Sequence, residues 1–354
     1  MVAQKLSLTK IGIHNIKSVD DCVLDIGNKN YIFGRNNSGK SNLLYAINLA
    51  FGNTRLERED LFISADSPFT EDKIVYVDLL FEPEGGTFDE DWMTVLGPMI
   101  IVGKNQSFGF RTIFEYDGRN NSYHRRRKAL KSWSDQAIPS EESVTESEMR
   151  YFECFFINAQ RDISEDIRNR QSLWNRKISS IEVPNSVASG FQETVRKLND
   201  SLVKESEVLS RLTKEFEKVP SNGKLVINPL PVSTSELYNG LDIKVEQNGT
   251  LIPVSSIGLG SRSIATITAI ETLSNMAYEN DEPHYTLILI EEPEEHLHPH
   301  LQSVIGEELR KLKTQVVLTT HSLNILGTAN LNEMIHVGHD GARSKISRYR
   351  ESDI

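Results

Sequence analysis

Over the first third of the chain, apolar and polar positions largely alternate. Leu6, Leu8, Ile11, Ile13 and Ile16 read as a strand pair, followed by Val23-Leu24-Asp25-Ile26 and the short apolar run Tyr31-Ile32-Phe33. That run stops at Gly34, and 42–51 carries a helical pattern, so the order is strand, glycine loop, helix. Alternation returns over 73–81 and through Phe108, Phe110, Thr112, Phe114 and Tyr116, ahead of an Asp117-Gly118 turn. These signals predict a β-rich half reaching to about Tyr123.

Further along, 131–148 is rich in Ser and Glu and reads as an exposed connection, and 151–159 returns to a buried strand. From Phe191 the period becomes helical. Phe191, Val195, Leu198, Leu202, Leu209, Leu212, Phe216 and Val219 recur at steps of four and three, with Glu205 in one seam position. A single helix of that span is about 40 Å long. It reads equally as a projecting arm or as an amphipathic helix lying on its own core. The stretch 220–231 breaks it, 241–252 reads as a hairpin around Asn248-Gly249, and 264–278 as a helix. Leu287–Ile290 and Val316–Thr319 are short, wholly apolar strands of the kind found in parallel sheets.

Composition narrows the class. The 354 residues are 38% hydrophobic and 25% charged, which fits a soluble globular chain of one large domain or two modest ones. A formal charge of -11 gives no bulk attraction to a polyanion, so nucleic-acid contact needs a local basic patch. The dense basic run is Arg125-Arg126-Arg127-Lys128; such a run is usually a solvated face, and DNA contact through it stays an open alternative. Two cysteines far apart, no run of membrane-spanning length and no signal-peptide core lead to the expectation of a cytoplasmic protein without membrane partners.

The candidate chemistry lies in four segments. Gly34-Arg35-Asn36-Asn37-Ser38-Gly39-Lys40-Ser41 matches G-x-x-x-x-G-K-[ST] at every fixed position. In such a loop successive backbone N–H groups curl around phosphates, the lysine reaches the β- and γ-phosphates, and the hydroxyl of Ser41 binds Mg²⁺. Gly34, Asn36, Asn37, Ser38, Gly39, Lys40, Ser41 and Asn42 are therefore candidate ATP-binding residues. Leu287-Ile288-Leu289-Ile290 delivers Glu291 and Glu292 at a strand tip, where ligands bind in open α/β sheets. Glu291 is placed for a Mg²⁺-bound water and Glu292 for a general base. A third strand, Val316-Val317-Leu318-Thr319-Thr320, ends at His321, a candidate sensor of the γ-phosphate. The fourth segment, 255–263, contains Gly258, Gly260 and Ser261 and opens a helix; alone it reads as a helix-capping turn.

With these residues in this order, the chain resembles the ABC ATPase superclass, and within it the RecF/SMC-like heads and the OLD (overcoming lysogenization defect) family. The segment 11–19, the loop 34–42 and Glu291-Glu292-Pro293-Glu294-Glu295-His296-Leu297-His298-Pro299 carry the likeness. The resemblance implies an α/β, ABC-type ATPase head, a mixed sheet around a phosphate-loop core with a helical insertion arm. It divides into 1–180, 181–222 and 223–354. It also implies Gln160, in Ile157-Asn158-Ala159-Gln160, as a Mg²⁺ and water sensor, and 295–298 as a loop that touches an opposite subunit. Gly258, Gly260 and Ser261 become the signature segment that covers the other head's ATP, although Leu259 stands where a serine is usual.

The family logic implies Mg-ATP hydrolysis by a homodimer, or a higher even oligomer, joined through an ATP sandwich and the helical arm. OLD proteins carry a Toprim nuclease domain. No Toprim site is found here, since Asp89-Glu90-Asp91 has the spelling without the context. The nuclease is expected either as a separate protein or in a longer chain of which this is the ATPase region. The expected role is the sensor or motor of an anti-phage or DNA-processing system. A RecF-like DNA clamp and a non-hydrolysing, ATP-bound scaffold for a toxic effector are the alternatives. Metal binding by His296, His298 and His300 is set aside in favour of a loop at the dimer face.

Overall fold

The computed structural model describes residues 4–64, 66–70, 72–158, 184–216, 230, 244–247, 249–253, 265, 267–268, 271–272, 283–295, 297–341 and 343–349. The chain divides into two compact units, one of 1–160 with 258–354, the other of 161–257.

The first unit begins with β1 (Leu6–Ile16), β2 (Val19–Asp25), β3 (Lys29–Phe33) and α1 (Lys40–Phe51). There follow β4 (Val75–Pro83), α2 (Glu90–Leu96), β5 (Ile100–Ile101), β6 (Ser107–Asp117), β7 (Ser122–Trp133), β8 (Ala137–Ser143), α3 (Glu146–Met149) and β9 (Phe152–Asn158). The second unit contributes α4 (Asn185–Glu205), α5 (Glu207–Phe216), β10 (Lys244–Gln247) and β11 (Thr250–Pro253). The first unit then resumes with β12 (Tyr285–Glu291), α6 (Pro299–Lys311), β13 (Gln315–Thr320), α7 (Leu323–Leu326), β14 (Met334–His339) and β15 (Ser344–Arg348).

Among the described residues two sheets build the first unit. One is antiparallel, in the order β2-β1-β4-β6-β7-β8 with β5 beside β6. The other runs β15-β14-β3-β13-β12-β9 and is parallel except at its β15 edge. The N-terminal apolar pattern belongs to a single long strand. Leu6 and Leu8 differ in parity from Ile11 and Ile13, yet all four are buried, because the register against β4 slips between Leu8 and Lys10. Residues 285–290 of β12 are all buried, as their unbroken pattern requires of a central parallel strand.

Helix α1 packs against β1 and β4 of one sheet and β9, β12 and β13 of the other. That position explains why it is apolar nearly all round, with Leu43, Leu44, Ala46, Ile47, Leu49, Ala50 and Phe51 buried. Each fully buried large side chain here contributes about 1.5–3 kcal/mol of apolar burial. An aromatic wedge continues the seam. Phe81 lies 5.0 Å from Phe152 and 4.9 Å from Tyr285, ring centre to ring centre. The helix that delivers the phosphate loop is thus anchored on both sides.

Two local readings change. The stretch 131–148 is not a loop. It holds the end of β7, all of β8 and the short α3. Ser140, Glu141, Glu142 and Ser143 lie on β8, with the last three exposed, and Glu146, Ser147 and Glu148 form α3, so the apolar alternation fades there. The long helix from Phe191 is interrupted at Ser206, whose ψ of 115° leaves the helical region directly after the seam position Glu205. Val195 and Asn199 are buried, while Leu198 and Leu202 are 50% and 42% exposed. Asn199 brackets the Leu230 backbone, donating to its carbonyl at 2.9 Å and accepting from its N–H at 2.7 Å. The expected hairpin is present as β10 and β11, with Gly249 at φ 76° in the turn. Among the described residues no helix is long and apolar enough to cross a membrane.

Candidate active site

Three strands of the parallel sheet end side by side. Thr320 of β13 is in register with Phe33 of β3, and Glu291 of β12 with Thr319 of β13 and Asn158 of β9. The chain leaves these tips at Gly34, Glu292 and His321, so one topological edge gathers the three segments. A cleft of ≈ 290 Å³ there is lined by Asn36, Asn37, Gly39, Lys40, Ser41, Asn42, Glu292 and His321.

The loop holds its shape because two glycines make close approaches. A Cβ on Gly34 would overlap the Val337 carbonyl, and one on Gly39, at φ +100°, would overlap the hydroxyls of Ser344 and Ser18. Asn37 takes φ 60°, a conformation asparagine tolerates. Behind the loop, the Ser344 hydroxyl donates to the Ser38 carbonyl at 2.7 Å, the Ser344 N–H donates to the Ser18 carbonyl at 2.8 Å, and the Asn42 amide donates to the Ser18 hydroxyl at 2.6 Å. Ser18 and Ser344 were not singled out from the sequence; 326 positions separate them, and no motif links them.

Lys40 is 4% exposed and lies at the cleft floor. Its Nζ donates to the Gly34 and Arg35 carbonyls at 3.4 and 3.3 Å and sits 2.6 Å from His321 Nε2. Burial pushes the Lys40 ammonium below the usual lysine range, opposed by the charges of Glu292, Glu294 and Glu291. The same His321 Nε2 lies 3.1 Å from Glu292 Oε1. With Nε2 bare, Lys40 donates to it; with Nε2–H, the ring donates to Glu292.

Glu292 has φ 43°, a left-handed conformation costly for glutamate. The kink turns its carboxylate into the cleft while Glu291, its strand neighbour, accepts from Asn158 Nδ2 at 3.3 Å. The Thr319 hydroxyl and carbonyl hold the kink by accepting the Glu292 N–H at 3.2 and 3.1 Å. Strain of this kind, of order 1–3 kcal/mol, concentrates where side-chain placement matters.

The donors and acids present fit a magnesium–nucleotide. A buried ammonium, glycine-lined backbone and the Ser41 hydroxyl share the cleft with the Glu292 carboxylate, Glu291 ends the adjoining strand, and the buried Ser38 Oγ has no hydrogen-bond partner among the described atoms. Ser41 and Glu291 could hold Mg²⁺. Gln160, Gly258, Gly260 and Ser261 lie outside the described residues, as does His296. His298 caps α6, its ring nitrogen accepting from the His300 N–H at 3.4 Å. Asp89 caps α2 by accepting from the Trp92 N–H at 2.9 Å.

The basic run on β7 is not a free patch. Arg127 is buried, donates to the Ala50 carbonyl at the end of α1, and pairs with Glu146 at 3.0 Å. Burial lowers its guanidinium to about 10. Arg125 lies 3.6 Å from Glu146, Arg126 pairs with Glu115, and Lys128 pairs with Glu141 at 2.8 Å. Each cation in the run therefore has a carboxylate partner.

A family described as AAA ATPase domain matches residues 99–326, more than half of the chain and a stretch that includes Glu291, Glu292 and His321. The chain belongs to this AAA ATPase family. The phosphate loop lies N-terminal to the matched stretch. The OLD nuclease of Thermus scotoductus is 19% identical over 335 residues, covering 89% of this chain and 59% of that protein. The Old nuclease of Escherichia phage P2 is 23% identical, covering 96% and 61%. Endonuclease GajA of Bacillus cereus is 27% identical over 175 residues, 42% of this chain and 25% of GajA. The chain thus spans at most about three fifths of these relatives. Among solved structures, an Smc head bound to the C-winged helix domain of ScpA aligns with a TM-score of 0.56 at 16% identity, covering 98% of each chain. An Smc head with an extended coiled coil, bound to a ScpA domain from Pyrococcus furiosus, gives 0.55 at 14%, covering 97% of this chain and 96% of that one. The AAA ATPase chain is thus similar at low identity to the matched stretch of the OLD nucleases and has the fold of an SMC head.

Proposed function

We propose that this chain binds Mg-ATP in the cleft at the strand tips and hydrolyses it, as the sensor or motor of a defence or DNA-processing system coupled to a nuclease. The supporting observation is the meeting of Lys40, His321 and Glu292, with Lys40 Nζ and Glu292 Oε1 both within 3.1 Å of His321 Nε2. Residues 281 positions apart converge on one nitrogen at the cleft floor.

In this reading the loop 34–42 and Lys40 bind and orient the phosphates. Ser41, Glu291 and Gln160 hold Mg²⁺, which when bound neutralises phosphate charge. Glu292 takes the proton of the attacking water, and His321 contacts the γ-phosphate. Gly258, Gly260 and Ser261 belong to the segment that covers a second copy's nucleotide. The insertion within 181–222 serves as the dimerisation arm.

The nuclease link rests on the names of the OLD and GajA relatives, and a Toprim nuclease region or partner is part of the proposal. We do not assign DNA contact to 125–128, because its cations are paired. The experiment is the particle mass of Glu292→Gln with and without Mg-ATP. Doubling on ATP addition is expected; an unchanged mass at saturating ATP would sink the sandwich dimer.

A further inference from the structure

Glu294 is not part of the cleft lining, yet its carboxylate ties two of the cleft's walls together. It follows the β12 tip by three residues and is only 8% exposed. Its Oε1 accepts from the Thr320 hydroxyl at 2.7 Å, from the backbone N–H of His321, and from the Ser322 N–H at 3.1 Å. Burying an ionised carboxylate is costly unless donors replace water, and here three donors of one turn do so. The turn they belong to carries His321. The turn that supplies the carboxylate carries Glu292, whose side chain faces His321 at 3.1 Å.

The geometry points to Glu294 as a positioning residue: it fixes the backbone of His321 so that the imidazole meets Glu292 and Lys40, and it acts on ATP turnover through His321. This inference rests on the ATP-hydrolysis reading of the same site. Stapling two strand tips for stability alone does not need a charge at this point. The carboxylate, however, also lies close enough to help hold the proton on Lys40, and its Oε2 is buried without a hydrogen-bond partner among the described atoms. On the far side of the turn, Gln302 completes the clamp. Its Oε1 accepts from the Ser322 hydroxyl at 2.7 Å, and its Nε2 donates to the Leu297 carbonyl at 2.9 Å. The segment after β12 and the His321 turn are thereby bound at two points.

Glu294→Gln is the sensitive substitution. It keeps the length and one acceptor oxygen, but removes the charge and puts an amide donor where Oε2 is buried. Two readouts are needed on the full chain. The first is hydrogen exchange across 319–326 in Glu294→Ala and Glu294→Gln. The His321 and Ser322 amides should exchange about tenfold faster or more, while 285–290 stays protected. Unchanged exchange in both variants, or a loss of protection spread equally over 285–290, overturns the assignment.

The second readout is steady-state ATP turnover in wild type, Glu294→Gln, His321→Ala and the double variant. Glu294→Gln should lower kcat about tenfold, with KM within about threefold of wild type, and should add less than about threefold in the His321→Ala background. Losses that multiply, a raised KM with kcat retained, or an unchanged kcat refute action through His321. If the wild type itself does not turn over ATP, the hydrolysis reading fails, and the exchange readout alone decides whether the carboxylate holds the His321 turn.

Discussion

Replacing Lys40 by methionine separates nucleotide binding from folding. The Nζ makes two long hydrogen bonds, at 3.4 and 3.3 Å, to the Gly34 and Arg35 carbonyls, and a closer contact, 2.6 Å, with His321 Nε2. The long bonds contribute little, the imidazole contact about 0.5–1.5 kcal/mol, and burial already disfavours the ammonium, so the fold should lose no more than about 1–2 kcal/mol. Binding should suffer far more. Two charge-assisted hydrogen bonds to phosphate at about 1.5–3 kcal/mol each give a loss of about 3–6 kcal/mol, or on the order of a thousandfold in affinity. Thermal unfolding with Mg-ATP reads this directly. At an ATP concentration about 100 times the wild-type Kd, binding adds about 2.7 kcal/mol to the wild type. After a thousandfold loss it adds under about 0.1 kcal/mol to the variant. At about 2–4 °C per kcal/mol for a unit of this size, the wild type should shift by about 5–10 °C and the variant by essentially nothing. A Lys40→Met protein that melts like wild type without ATP and still shows the full shift would refute the placement of the phosphates on Lys40.

Other residues give sharper local tests. Gly39→Ala places a Cβ against the Ser344 and Ser18 hydroxyls at φ +100° and should abolish ATP binding, whereas Gly341→Ala, at φ +99° with open space, should cost only about 1 kcal/mol of backbone strain; calorimetric titration with ATP distinguishes them. Burial lowers the Lys29 ammonium, which donates to the Leu312 and Thr314 carbonyls, to about 8 from 10.5. Below about pH 8 folded and unfolded chains both hold that proton and the cost of burying the charge is present in full. Between about pH 8 and 10.5 the unfolded chain binds more protons, so stability should rise with pH by up to about 3 kcal/mol, and urea unfolding of Lys29→Met should lack that slope. Arg127→Met removes the guanidinium from the Ala50 carbonyl, which keeps the Thr112 hydroxyl at 3.1 Å, so unfolding in urea should show a loss of about 1–3 kcal/mol.

The parts of the fold legible in the sequence are those where chemistry and pattern coincide. Tyr31-Ile32-Phe33 before Gly34, and the apolar runs before Glu291 and His321, are buried strands whose tips must be polar, so both strand and site stand out. Their convergence follows from the parallel order β3-β13-β12, which no single segment encodes. The β7–β8 hairpin was hidden because its surface positions carry the very charges that suggest a solvated loop. Arg127 reads as one of four basic residues but faces the core, and only pairing with β6 and Glu146 reveals it. The kink at Glu292, the clamp by Glu294 and the bracing of the phosphate loop by Ser18 and Ser344 depend on contacts between distant segments, so residue type alone gave no signal. The interruption at Ser206 had one local hint, the charged residue in the apolar seam.

On the proposed reading, Glu292 turns a nucleotide-binding cleft into a hydrolytic one. Phosphate release from ATP by the wild type and by Glu292→Gln, with Mg²⁺ present and after its removal by chelation, tests it most directly. Loss of a general base is worth about 10²–10⁴-fold in rate, while the amide keeps the side-chain length and relieves repulsion of the phosphates. The expected result is Mg²⁺-dependent turnover by the wild type, a drop of at least about a hundredfold in Glu292→Gln, and ATP still bound to the variant. Equal phosphate release by the two proteins, or none from either under conditions where both bind ATP, would contradict it.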